Sequence, residues 1–232
     1  LGEDTTVSAE VEILSSRMVL GRVVGKLKLD IIASPRTLPL IGGAVARRYE
    51  GDEPNSAWLG LSRFAWGGEV IQVDSLEVPD SALDGELWLT AGEDGTFTIV
   101  DEDDRLVLEG KAGVRANGQG YSAFIAQLKA RPGTQFLLKK LSAETAIDNL
   151  RRNYSVKERG KKSGVLELSM VGQKPAQIAL ILDDIMNTYV RQNVERRSAE
   201  AEKTLKFLDT QLPALKTQVD SAEAAYNSYR QS

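Results

Sequence analysis

The sequence predicts an α+β fold in which a mixed body is followed by one long C-terminal helix. Three observations support it: helical and strand periodicities alternate through residues 1–172, short strands dominate residues 51–110, and residues 173–232 keep a helical pattern to the end. We therefore expect an α/β base formed by 1–50 and 111–172, a β-rich insertion formed by 51–110, and a long helix formed by 173–232.

Composition limits the possible functions. The chain has 232 residues, of which 42% are hydrophobic, and this is enough to bury a core. A net charge of only -4 argues against nucleic acid as a partner. The chain has no Cys and no His, which excludes thiolate nucleophiles, imidazole bases and Cys/His zinc sites. We expect no catalytic residue, cofactor site or metal site in this chain.

The predicted base begins with a helix over residues 8–27, where apolar residues recur every three or four positions. Gly21 and Gly25 are expected to weaken or break this helix. Alternation predicts a strand over 27–33, and a short helix is expected over 40–49. The elements predicted later in the body are strands at 70–73, 85–90, 96–100, 106–109, 121–130 and 134–141, a helix at 142–150, and strands at 154–157 and 165–171.

The C-terminal helix is predicted to be much longer than the domain beneath it. Roughly 55 residues at a rise of 1.5 Å would extend about 80 Å. Its first part carries an apolar stripe that we expect to be buried against the body. The stripe consists of Ile178, Ile181, Leu182, Ile185 and Tyr189.

The distal half of this helix carries a second apolar stripe, with alternating steps of three and four residues. This spacing is typical of a coiled-coil seam, which needs a partner helix. Nothing else in the chain matches it, so we expect the partner to lie in another subunit or in a returning helix outside this sequence, the chain supplying half of a coiled-coil-like hairpin. The candidate assembly seam is Leu205, Leu208, Leu212, Leu215, Val219, Ala222 and Tyr226.

A basic segment precedes the long helix and is a candidate contact for anionic lipid or an acidic glycan. A plain solvated loop is the alternative interpretation. The basic residues are Arg151, Arg152, Lys157, Arg159, Lys161 and Lys162.

Other chemistry-bearing residues have structural interpretations that we favour. The acidic run 101–104 is interpreted as a solvated hairpin loop rather than a calcium or glycosidase site, because no EF-hand spacing accompanies it. Trp58, Trp66 and Trp88 are expected to pack in or beside the core rather than to stack on sugars.

Short motifs spread along the chain form a recognisable set. They are Arg17-Met18-Val19-Leu20-Gly21, Leu27-Lys28-Leu29-Asp30-Ile31, Pro39-Leu40-Ile41-Gly42, Ala130-Arg131-Pro132-Gly133-Thr134, Ala146-Ile147-Asp148-Asn149-Leu150, Gly164-Val165-Leu166, Tyr189-Val190-Arg191-Gln192-Asn193-Val194-Glu195-Arg196 and Phe207-Leu208 with Gln211-Leu212-Pro213. This set resembles the periplasmic domain of Wzz/Wzc-type polysaccharide co-polymerases, the chain-length determinant family, and in particular the Wzc-like tyrosine-kinase branch.

The resemblance implies the periplasmic portion of a bacterial inner-membrane protein, with an α/β base near the membrane and subunits assembled in a ring. The implied function is a scaffold that regulates chain length and export of exopolysaccharide or capsule. The implied partners are further copies of the chain, a polysaccharide polymerase, an outer-membrane export protein and the nascent polysaccharide. A tyrosine autokinase domain, if one follows, would be cytoplasmic and outside this sequence.

Two other functions remain open at this stage. A periplasmic adaptor of an efflux or secretion pump also joins β-rich domains to a coiled-coil hairpin, although an α+β body before the helix counts against it. A glycan-processing enzyme would have to use carboxylates such as Asp101 or Glu109.

Overall fold

The computed structural model describes residues 2–38, 51, 53–57, 60–160, 163–172 and 174–231. The chain divides into two compact units, Leu1–Leu182 and Asp183–Ser232. The predicted α+β class is confirmed, because helices flank antiparallel sheets and a 57-residue helix follows them. The short helix predicted over 40–49 lies outside the described residues.

Two helices, rather than one, open the body: α1 spans Gly2–Leu14 and α2 spans Arg17–Leu27. The prediction that the glycines would interrupt the helix is wrong, because the break falls at Ser15 and Ser16. The Ser16 hydroxyl accepts a hydrogen bond from the Val19 N–H at 3.3 Å and so starts α2 as an N-cap. Gly21 lies inside α2, where an added Cβ would come within 3.3 Å of Ile147 Cδ1.

Eight strands build the centre of the body and are all paired antiparallel. One sheet has the order β1-β8-β3-β4-β5 and the other has the order β2-β7-β6. The strands are β1 (Ile31–Pro35), β2 (Val70–Glu77), β3 (Leu87–Ala91), β4 (Thr96–Val100), β5 (Leu106–Lys111), β6 (Arg115–Gly118), β7 (Tyr121–Lys129) and β8 (Gln135–Lys140).

The core lies between these two sheets, which also meet where β5 lies beside β6 and β1 beside β2. Every second residue is buried in β3, β4 and β8, as the pleat requires. Strands β3, β4 and β5 belong to the predicted insertion 51–110, yet they share a sheet with β1 and β8 of the predicted base. The division of the body at those boundaries stays a prediction. Fully buried core residues include Leu89, Ile99, Ile125, Phe136 and Leu138.

The remaining elements are α3 (Ala143–Asn153), the strands β9 (Tyr154–Glu158) and β10 (Leu166–Met170), and α4 (Pro175–Gln231). Asp84 stabilises the start of α3, since its carboxylate accepts hydrogen bonds from the Ser142 N–H at 3.0 Å and the Thr145 hydroxyl at 3.1 Å. Donation by the Ser142 N–H lowers the pKa of Asp84 below its ordinary value. Strands β9 and β10 form a separate antiparallel ribbon.

Tyr154, the first residue of β9, is 7% exposed. Within the described part of the chain its hydroxyl has no hydrogen-bond partner. Burial raises the pKa of Tyr154 from 10.0 to about 12. The protonated phenol is therefore the form that the fold stabilises.

Replacing Tyr154 with Phe should change the response of the protein to alkali. The phenol ionises near pH 10.0 in the unfolded chain but only near 12 in the folded one, because burial raises its pKa. The free energy of unfolding is therefore unaffected by this ionisation below pH 10.0 and falls as the pH rises toward about 12. Urea titrations at several pH values should show a smaller alkaline loss for Tyr154→Phe, with stability at neutral pH unchanged or raised by about 1 kcal/mol. An identical alkaline loss in both proteins would contradict this.

Candidate assembly surface and basic ribbon

The apolar stripe predicted to be buried in the first turns of α4 is only partly buried. Ile181 and Ile185 are buried, whereas Ile178, Leu182 and Tyr189 are partly exposed. The sequence interpretation missed two buried polar residues of the second unit, Asp184 and Thr188. An apolar pattern gives no signal for such residues.

The candidate assembly seam is exposed over its whole length. Its six large residues are between 44% and 62% exposed, and Ala222 is exposed as well. Single exposed apolar side chains are common on soluble proteins, but a regular row of them is typical of an interaction surface. The seam is therefore available to a partner helix, while its role in assembly stays a prediction.

The exposed apolar row extends further toward the start of α4 than the sequence interpretation recognised. Met186, Val190 and Val194 are exposed and spaced by four residues. Successive residues are rotated by about 100° around the helix axis, so Val194 lies within about 20° of Leu205, on the same side of the helix. Val190 lies about 140° around the axis from Ile185, away from the buried face. The four-residue spacing of these three apolar residues was the feature of the sequence that could have revealed the longer row. Phe207 is equally exposed but lies on another side of the helix.

The basic segment is divided between the end of α3 and the ribbon of β9 and β10. Lys157 and Arg159 are exposed, and Arg152 is exposed in the last turn of α3. Arg151 has other partners in the fold. Its Nη1 lies 3.7 Å from Asp148 Oδ1, and its Nη2 donates to the Ser15 carbonyl at 3.0 Å. Lys161 and Lys162 lie outside the described residues. The structure thus brings Lys157 and Arg159 together on one ribbon.

A buried ion pair, which the sequence interpretation did not find, lies where loop 60–69 meets the loop after β7. The Glu69 side chain is 1% exposed and the Arg131 side chain 19%, and Arg131 Nη2 lies 3.1 Å from Glu69 Oε1. Glu69 also accepts from the backbone N–H groups of Trp66 at 2.9 Å and Gly67 at 2.7 Å. Arg131 further donates to the Phe64 carbonyl at 3.1 Å.

The tryptophans that the structure describes have structural roles. Trp66 is buried, and its indole N–H donates to the Leu61 carbonyl at 3.2 Å. The Arg36 guanidinium carbon lies 4.7 Å from the centre of the Trp88 ring, a cation–π distance. Trp58 lies outside the described residues.

The acidic run 101–104 organises its own hairpin loop. Asp101 accepts from the N–H groups of Asp103 and Arg105 at 2.9 Å, and Glu102 accepts from the Glu86 N–H at 2.7 Å. Within the described ranges, no cluster of three or more His, Cys, Asp or Glu side chains is placed to hold a metal ion. The same part of the chain contains no helix that is both long and apolar enough to cross a membrane.

Comparison with known proteins identifies the relatives of this chain. Residues 31–141 match the family model of the N-terminal domain of the tyrosine-protein kinase Wzc. The chain is 35% identical over 223 residues to the tyrosine-protein kinase etk of Escherichia coli strain K12, covering 96% of this chain and 28% of that protein. It is 38% identical over 232 residues to the putative tyrosine-protein kinase EpsB of Ralstonia nicotianae, covering 97% and 30%.

A third relative, the tyrosine-protein kinase wzc of Salmonella typhimurium, is 33% identical over 224 residues, which cover 96% of this chain and 29% of that protein. The chain thus spans less than a third of the length of these relatives. A crystal structure of Xanthomonas campestris FlgL is 14% identical and covers 68% of this chain and 41% of that chain, with a TM-score of only 0.27. The family model and the relatives together show that the chain belongs to the Wzc-type family, whose N-terminal domain model matches residues 31–141.

Proposed function

We propose that this chain is a non-catalytic scaffold of a polysaccharide co-polymerase, and that it oligomerises and thereby regulates chain length and export of exopolysaccharide or capsule. The family assignment makes the chain a periplasmic portion of an inner-membrane protein. The names of the relatives support the kinase branch of the family and do not favour the pump-adaptor alternative.

The exposed seam on α4 is the observation that carries this proposal. Burial of one leucine side chain contributes about 1.5 to 3 kcal/mol, so a row of exposed leucines represents a large free energy that a partner can recover. Such a row suits a scaffold that acts by assembling copies of itself.

A second copy of α4 is the occupant that the seam fits best. The steps of three and four residues are the same on both copies, so knobs of one helix can enter the holes of the other. The residues that border the seam carry both signs of charge, for example Glu202, Asp209 and Lys216. A second copy therefore meets no uniformly repulsive surface.

The finer parts of the proposal rest on the family. A ring of copies would be the working assembly, and a polysaccharide polymerase, an outer-membrane export protein and the growing polysaccharide would be its other partners. The chain supplies no Cys or His for catalysis. Kinase activity would belong to a cytoplasmic domain of the complete protein.

The proposal is tested in cells with the complete protein. We expect Leu208→Ser, Leu212→Ser and Leu215→Ser, combined, to shift the length distribution of the surface polysaccharide, measured by gel filtration or electrophoresis. Phe207→Ser removes an exposed apolar side chain on another side of α4 and should leave the distribution unchanged. A normal distribution in the triple variant, at normal protein level, would rule out the seam as the regulator.

A further inference from the structure

We propose that the ribbon of β9 and β10 docks on a lipid surface that carries anionic headgroups. The contacting surface is the outer face of the ribbon, defined here by Lys157, Arg159, Val165, Glu167 and Val171. This proposal rests on the proposed function in one respect, since it needs the chain to lie beside the inner membrane. It does not depend on the assembly seam.

The ribbon has two different faces because side chains alternate along each strand. In the register of the two strands, Lys157 lies opposite Glu167 and Val156 lies opposite Leu168. The face that carries Leu166, Leu168 and Met170 is partly buried, whereas every described residue from β10 on the other face is exposed. The outer face is therefore open to a partner.

Charge points to an anionic partner. Residues 151–171 hold six basic and two acidic side chains, although the whole chain has a net charge of -4. Among the described residues, no ion pair within 4.0 Å involves Arg152, Lys157 or Arg159. These three cations are available to a headgroup, and each basic residue near an anionic surface favours binding.

Three hydrogen bonds surround the backbone of Arg159 at the end of the ribbon. The Arg159 N–H donates to the Val165 carbonyl at 2.8 Å, which extends the ladder beyond β9. The Ser163 hydroxyl donates to the Arg159 carbonyl at 2.6 Å, and Glu158 accepts from the Gly164 N–H at 3.0 Å. Arg159 thus continues the β9–β10 ladder by one residue pair.

Apolar side chains on the same face favour a lipid over a glycan. Val165 is 54% exposed and Val171 is 77% exposed, and they lie at the two ends of β10. Valines beside free cations suit the boundary between headgroups and acyl chains. A sugar site would present an aromatic face, but Tyr154, the aromatic residue of the ribbon, is buried.

Vesicle flotation with the 232-residue chain tests the proposal. We expect the chain to bind vesicles of phosphatidylcholine and phosphatidylglycerol, to bind pure phosphatidylcholine much more weakly, and to be released by salt. The variant Lys157→Gln and Arg159→Gln should bind the anionic vesicles more weakly by on the order of 10- to 100-fold. Glu167→Gln removes the acidic side chain of the outer face and should strengthen binding.

A matched control removes two exposed cations from the central strands β5 and β6: Lys111→Gln and Arg115→Gln. It carries the same net charge as the ribbon variant and should bind like the original chain. Equal loss in both double variants, or no preference for anionic vesicles, would overturn the proposal. Binding to a soluble acidic polysaccharide without binding to vesicles would overturn it in favour of a glycan site. None of these outcomes bears on assembly through α4.

Discussion

Replacing Arg131 with Ala is expected to destabilise the body by about 3 to 5 kcal/mol. The Glu69 carboxylate is almost completely buried, and Arg131 is its cationic partner at 3.1 Å. Without the guanidinium, the fold must hold a buried carboxylate whose charge no cation compensates. Chemical denaturation of the 232-residue chain, followed by circular dichroism, measures the loss.

Two comparisons make this prediction specific. Lys129 pairs with Glu53 at 3.1 Å, but that glutamate is 83% exposed, so Lys129→Ala should cost no more than about 1 kcal/mol. The double variant Glu69→Ala and Arg131→Ala should be less destabilised than the sum of the single variants, because it leaves no buried charge without a partner. An Arg131→Ala protein as stable as the Lys129→Ala protein would refute the role assigned to the pair.

The second large effect is expected in self-association. The chain should associate in sedimentation or light scattering as its concentration rises, and the triple serine variant of Leu208, Leu212 and Leu215 should stay monomeric. Loss of even 3 kcal/mol of leucine burial lowers affinity by about 100-fold or more. The body should remain folded, since all three leucines are exposed.

Phe207→Ser is the matched control for the serine variant. Phe207 is 62% exposed, like Leu205, but it does not belong to the seam. We expect this variant to associate like the original chain. If Phe207→Ser abolished association and the triple variant did not, the contact surface would lie on a different side of α4.

The strands of the body could be predicted where alternation and turn residues coincide. The prediction of 96–100 matches β4 residue for residue, and β7 and β8 differ from their predictions only at the ends. Strand β6 was missed because its sequence, Arg-Ala-Asn-Gly, has no apolar alternation. It exists through its pairing with β7, which is a tertiary contact.

The break between α1 and α2 was missed for a different reason. Glycine was given more weight than serine as the interruption, although the Ser16 hydroxyl caps α2 and Gly21 packs beside Ile147. Helix caps compete with helix continuation at serine, and the outcome depends on packing that the periodicity does not contain.

Of the candidate surfaces, the seam could be predicted because its spacing of three and four residues lies within one continuous segment of the sequence. The Glu69–Arg131 pair was not, because it joins two loops that are 62 residues apart in the chain. The sequence placed Arg131 in a family motif without indicating its partner. The basic segment was predicted as a set of residues, but only strand pairing separates Lys157 and Arg159 from the engaged Arg151.

Cysteine cross-linking tests the central claim, assembly through the α4 seam, most directly. The chain contains no Cys, so a single introduced thiol can form a disulfide only with another copy. We expect at least one of Leu208→Cys, Leu212→Cys and Leu215→Cys to form covalent dimers rapidly under mild oxidation, and Phe207→Cys to form them slowly. Equal rates at all four positions, or faster dimer formation at Phe207, would contradict assembly through the seam.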